Sequence, residues 1–164
     1  MAHWRNHKTL LLVGEGIHDE AFLTHVKRHK APRGCGLIVT IRNANGKGAL
    51  HVVDYTIRQK QNAQFDQVAA MVDTDTDYSD RVLALAKRHR ITLISAAPCF
   101  EALLLRTIDQ KLGETKQLKK QLSPFVNDKP GEASSYEKHF GLPALENACE
   151  KEEALRILLD LFSR

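Results

Sequence analysis

Four times between residues 8 and 110, a strand-length apolar or β-branched run is followed by a stretch with helical spacing. This recurrence restricts the chain to a parallel sheet with helices on both faces. Residues 8–14 (Lys-Thr-Leu-Leu-Leu-Val-Gly) form a continuous apolar run closed by Gly14, the pattern of a fully buried strand. A helix is predicted over 17–30, with Ile17, Ala21, Phe22 and Val26 on one stripe and Pro32, Gly34 and Gly36 ending it. Strands are predicted over 37–42, 68–72 and 91–95, and helices over 49–62, 78–90 and 99–110. Past Lys111 the strand pattern stops. Residues 116–126 read as a helix, 127–131 as a turn, and a last helix carries Leu155, Leu158, Leu159 and Phe162 on one stripe. The expected organisation is a core at 1–110 and a helical extension at 111–164 that covers the sheet, one compact domain in all.

Composition narrows the class further. Hydrophobic residues make up 43% of the 164 and charged residues 27%, which excludes a disordered or fibrous chain. The apolar run at 10–13 is too short to cross a bilayer, and neither an h-region nor a cleavage site follows the first residues. Three widely spaced cysteines (Cys35, Cys99 and Cys149) do not make a disulfide framework, so a reducing, cytoplasmic setting is expected. Lys and Arg number 24 against 20 Asp and Glu, a net charge of +4. Acids concentrate at 15–20 and 73–80. Bases flank them at 27–30, 87–90 and 116–120, either as partners for a polyanion or as solvated helix ends.

In an open parallel sheet, ligands bind beyond the carboxyl ends of the strands. Glu15 follows the first strand, Asp73, Asp75 and Asp77 follow the third, and Glu101 lies in the first turn after the fourth. Carboxylates at i, i+2 and i+4 of an extended segment face the same way, and such a cluster resists joint ionisation unless a cation neutralises it. Mg²⁺, with Mn²⁺ as a substitute, takes few protein carboxylates and leaves positions for water and phosphate. The alternative is an Asp-rich turn in which Asp75 or Asp77 caps the next helix. Lys47, in Asn45-Gly46-Lys47-Gly48, is a candidate phosphate ligand on the same edge, or part of an ordinary flexible turn. His25 and His29 stand four apart on a helix with no third ligand nearby, and read as a surface stripe in preference to a zinc site. An EF-hand fails, because Tyr78 and Ala84 occupy the places of its Gly and Glu, and no P-loop motif occurs.

Gly14-Glu15-Gly16-Ile17-His18-Asp19-Glu20 resembles the acidic segment of Toprim domains, especially the overcoming-lysogenization-defect (OLD) nucleases. Val72-Asp73-Thr74-Asp75 resembles their Asp-x-Asp motif, and Pro98-Cys99-Phe100-Glu101 with Leu103-Leu104-Leu105 is similar to a segment of RloB-like proteins. Ala97 and Leu103 stand where that branch is expected to carry Asn and Trp. The resemblance implies a Toprim-like Rossmannoid core, with a four-stranded, mainly parallel sheet flanked by helices. It also implies Glu15 as general acid/base or metal ligand, and Asp73 and Asp75 as magnesium ligands. Asp19 and Glu101 are further candidate ligands, each with a helix-start alternative. Cys99 is either an activated thiol or a packing residue. The implied activity is metal-dependent cleavage of DNA or RNA phosphodiesters in phage defence, with nucleotidyl transfer on the same site as a variant. The alternative is a non-catalytic or regulatory subunit working with a separate ATPase partner.

Overall fold

The computed structural model describes residues 7–163. Residues 1–6, which the sequence reading placed in the core, lie outside the described part. Four strands, β1 (Lys8–Gly14), β2 (Leu37–Asn43), β3 (Gln67–Asp73) and β4 (Thr92–Ala96), form one parallel sheet in the order β2-β1-β3-β4. Helices α1 (Ile17–Lys30), α2 (Gly48–Asn62), α3 (Asp80–Arg88) and α4 (Phe100–Thr107) follow them in turn. The chain steps from β1 outward to β2, then crosses back to β3 on the other side of β1. The strand order therefore reverses between β1 and β3, and the crevice at such a reversal is where a doubly wound sheet accepts ligands.

Alternation along each strand builds two cores. Leu10, Leu12, Met71 and Ile94 face α1 and α4, whereas Leu11, Val13, Val72 and Leu93 face α2 and α3. The first of these cores continues without a break into the C-terminal third. Leu118, Leu122, Val126, Tyr136, Phe140, Leu145, Leu155 and Leu158 belong to the same buried cluster as Leu10 and Phe22.

Departures from the sequence reading are local. The helix predicted over 116–126 is divided into a 3-10 turn at Thr115–Gln117, α5 (Leu118–Leu122) and a second 3-10 turn at Ser123–Val126. Pro124, without an N–H and with a ring that crowds the preceding turn, prevents α5 from continuing. Beyond a further 3-10 turn at Ala133–Tyr136, the structure adds α6 (Leu142–Ala148), which periodicity did not reveal because it has only seven residues. The final helix, α7, spans Glu153–Leu161. Helix α3 begins at Asp80 rather than Tyr78, because the Ser79 side chain accepts the Val82 amide and sets the start there.

Candidate metal centre

The register of β1 on β3 pairs Leu10 with Gln67 and Val13 with Ala70. Continued by two or three residues, it brings the end of β1, and with it Glu15, level with the end of β3 and Asp73. From β4 the chain turns into α4, whose first amide, Phe100 N–H, donates to Asp73 Oδ1 at 2.9 Å. That bond places Glu101 beside Asp73. On the other flank, Asp19 in the first turn of α1 accepts the Gly16 amide through Oδ2 at 3.2 Å. The close packing of this turn depends on Gly14, where a Cβ would lie 2.8 Å from the Asp19 Cβ.

These elements enclose a cavity of about 290 Å³ lined by Glu15, His18, Asp19, Asp73, Glu101 and Lys119 among others. Its electrostatics are dominated by crowded acids. Burial, with repulsion from Asp19, Glu15 and Glu101, pushes Asp73 up to about 8. Burial also raises Asp19 to about 7, with Glu15 and Glu101 adding to it. Glu15 is raised by burial as well, against the pull of nearby backbone amides at Asp73 and Gly48. Among the described residues, Glu15 Oε2 is a buried side-chain oxygen without a hydrogen-bond partner. An orphaned, buried carboxylate oxygen in a pocket of mutually repelling acids fits a bound divalent cation.

The other residues singled out in the sequence occupy distinct places. Asp75 is exposed, and its backbone N–H, like that of Thr74, donates to the Pro98 carbonyl, tying the end of β3 to the turn before α4. Asp77 reaches across to α2, accepting the amides of Ala49 at 2.6 Å and Leu50 at 3.3 Å. It therefore acts as a cap, though for α2 and not for the helix that follows it. Lys47 is exposed in a left-handed conformation (φ 70°) at the start of α2, in the loop whose Gly46 amide donates to the Glu15 carbonyl at 2.6 Å. Cys99 is buried, and burial pushes its thiol up to about 11, so it packs as a neutral group.

The structure supplies two groups that sequence reasoning had not assigned to a site. Lys119 comes from the C-terminal extension and lines the pocket, next to Leu118, which is buried in the core. Glu137 supplies the third ligand that His25 and His29 lack in sequence. Their ligand atoms all lie within 4.8 Å of one another. His25 Nδ1 is 3.3 Å from Glu137 Oε1, and His29 Nε2 is 2.9 Å from Oε2. This cluster is capable of coordinating a metal ion, and it corrects the reading of the two histidines as a surface stripe: His25 is 0% exposed. The only early signal was the His-x-x-x-His spacing, since Glu137 is 112 residues from His25.

No helix among the described residues is long and apolar enough to cross a membrane. A family model described as RloB-like protein matches residues 10–159, almost the whole chain and both sides of the boundary at 110. No curated protein and no solved structure matches it.

Proposed function

The chain belongs to the RloB-like family, with a Toprim-type fold, and from that premise we propose that it is a Mg²⁺-dependent enzyme cleaving nucleic-acid phosphodiesters. The observation that carries the reading is the buried, unpartnered Glu15 Oε2 among raised carboxylates at the strand-order reversal. Glu15 and Asp73 are the residues that would hold the cation, with Asp19 and Glu101 completing the negative pocket and the exposed Asp75 adding negative charge near Glu15. Bound there, Mg²⁺ would polarise the phosphate and favour attack by water.

The chain's own residues supply the remaining functions. Asp73 is oriented by the Phe100 amide, so one oxygen is fixed while the other is left for a ligand. Glu15, raised by burial, is the residue suited to hold or pass a proton in the pocket. Lys119 in the pocket lining and Lys47 in the exposed loop would be the cations that neutralise phosphate. Contacts of this kind read the backbone and not the bases, so weak sequence preference and steep salt dependence follow. A setting in phage defence and a separate ATPase partner are the family's implications for this reading.

The test is incubation of the purified chain with labelled single- and double-stranded DNA and RNA in Mg²⁺, Mn²⁺ or EDTA. Cleavage of at least one substrate with metal, abolished by EDTA and by Asp73→Asn, is expected. No cleavage of any of the four with either metal would leave the regulatory-subunit reading in its place.

A further inference from the structure

We propose that His25, His29 and Glu137 form a transition-metal site of the Zn²⁺ class that staples helix α1 to the C-terminal extension, separate from the carboxylate pocket. The His25 ring has a neighbour at each of its nitrogens. Its Nε2 lies 2.7 Å from the Phe140 carbonyl oxygen, and a carbonyl only accepts, so Nε2 carries the proton. The neutral ring then turns a bare Nδ1 lone pair towards Glu137 Oε1, 3.3 Å away, and two acceptors face each other. A cation between them removes the conflict. A histidine whose second nitrogen donates to a backbone carbonyl is also the usual arrangement of a metal ligand, since that bond fixes the ring and raises its basicity.

The spacing suits coordination. Zn–N and Zn–O bonds of about 2.0–2.2 Å put tetrahedral neighbours roughly 3.3–3.5 Å apart. The His25–Glu137 separation is already 3.3 Å, and the exposed His29 has room to adjust. The ring of His25 is held between Phe22 and Tyr136, with centroids at 6.4 and 6.0 Å, so this ligand is preorganised. Two imidazoles and a carboxylate favour Zn²⁺, Co²⁺, Ni²⁺ or Cu²⁺ over Mg²⁺. Glu137 and His29 are 47% and 37% exposed on their side chains, which leaves a fourth position to water.

Location separates this site from the pocket. At 1.5 Å per residue, His25 and His29 stand about 9 and 15 Å further along α1 than Asp19. What the ligands join is α1 and the segment after the 3-10 turn at Ala133–Tyr136, so a bound ion closes a long loop and holds the extension against the core. The rival is an ion pair between a protonated His25 and Glu137, with no metal.

The experiment is a titration of the chelator-stripped full chain with Zn²⁺ alone, followed by calorimetry and by thermal melting, with Co²⁺ absorption reporting the coordination geometry. One site is expected when millimolar Mg²⁺ is present to fill the carboxylate pocket. The melting temperature should rise by roughly 5–10 °C at a hundredfold excess over Kd. His29→Ala and Glu137→Gln should each weaken uptake at least about tenfold, and both residues are exposed, so the fold tolerates them. Millimolar Mg²⁺ should not displace the ion. The proposal is overturned if the wild type takes up no Zn²⁺, if both variants bind as well as it does, or if uptake is lost in Asp73→Asn and kept in His29→Ala. The first two outcomes leave the carboxylate pocket untouched, whereas the third would place the ion in that pocket and leave its reading as a metal centre standing.

Discussion

At the scale of single residues, the pocket is an arrangement of acids that the metal-free fold holds at a cost. Asp73 and Asp19 have an ordinary value of 3.8 and sit at about 8 and about 7 in the folded chain. Between those limits the folded state binds more protons than the unfolded state, so stability falls as pH rises from about 4 to 8. Each kcal/mol of that loss corresponds to roughly 2–4 °C in Tm for a chain of this size. Asn at position 73 can still accept the Phe100 amide but carries no charge. Asp73→Asn should therefore be more stable than the wild type at pH 8 without metal, on the order of 1–3 kcal/mol, with a flatter pH profile. Magnesium should raise the Tm of the wild type and not of the variant. Thermal melts at pH 5 and pH 8, with and without Mg²⁺, check this. A steeper profile in the variant would contradict the placement of the charges.

At the scale of elements, the same run of acids divides its labour. Asp73 starts α4 and Asp77 starts α2, so two carboxylates satisfy helix amides that would otherwise be orphaned. Asp77→Ala should destabilise the chain by about 1 kcal/mol, the usual cost of a lost cap, and leave the magnesium-induced Tm shift in place. Denaturant unfolding with and without Mg²⁺ measures both quantities, and a lost shift would make Asp77 a ligand. The strands and α1 were legible because their apolar runs and stripes are long and their ends are marked by Gly14, Pro32 and Gly36. That Asp77 caps α2 was not legible, because the bond spans 28 residues and depends on where the helix arrives. For Lys119 the sequence leaves a polyanion partner and a solvated helix end both open, and its place in the pocket lining follows only from how the extension docks. Glu137 carried no signal, because its partners lie on a helix more than a hundred residues earlier. Sequence periodicity reports which face an element buries, and long-range side-chain pairing follows only from how the elements then dock.

At the scale of the molecule, the C-terminal third completes both the core and the pocket. Arg106 on α4 binds the buried Glu152 at 2.7 and 3.2 Å and donates to the Ala97 carbonyl at 2.6 Å, so the turn that positions Glu101 is braced by the extension. Lys119 lines the same pocket as the acids. The whole arrangement converges on Glu15, the residue after β1 at the point where the strand order reverses. The most direct measurement is therefore metal-dependent cleavage by Glu15→Gln beside the wild type, with nucleic-acid affinity measured on the same preparations. Gln keeps the size of the side chain and removes its charge and its proton transfer. Cleavage should fall by roughly 10²–10⁴-fold, while affinity stays the same or rises because a negative charge facing phosphate is gone. Equal cleavage by Glu15→Gln and the wild type would contradict the assignment.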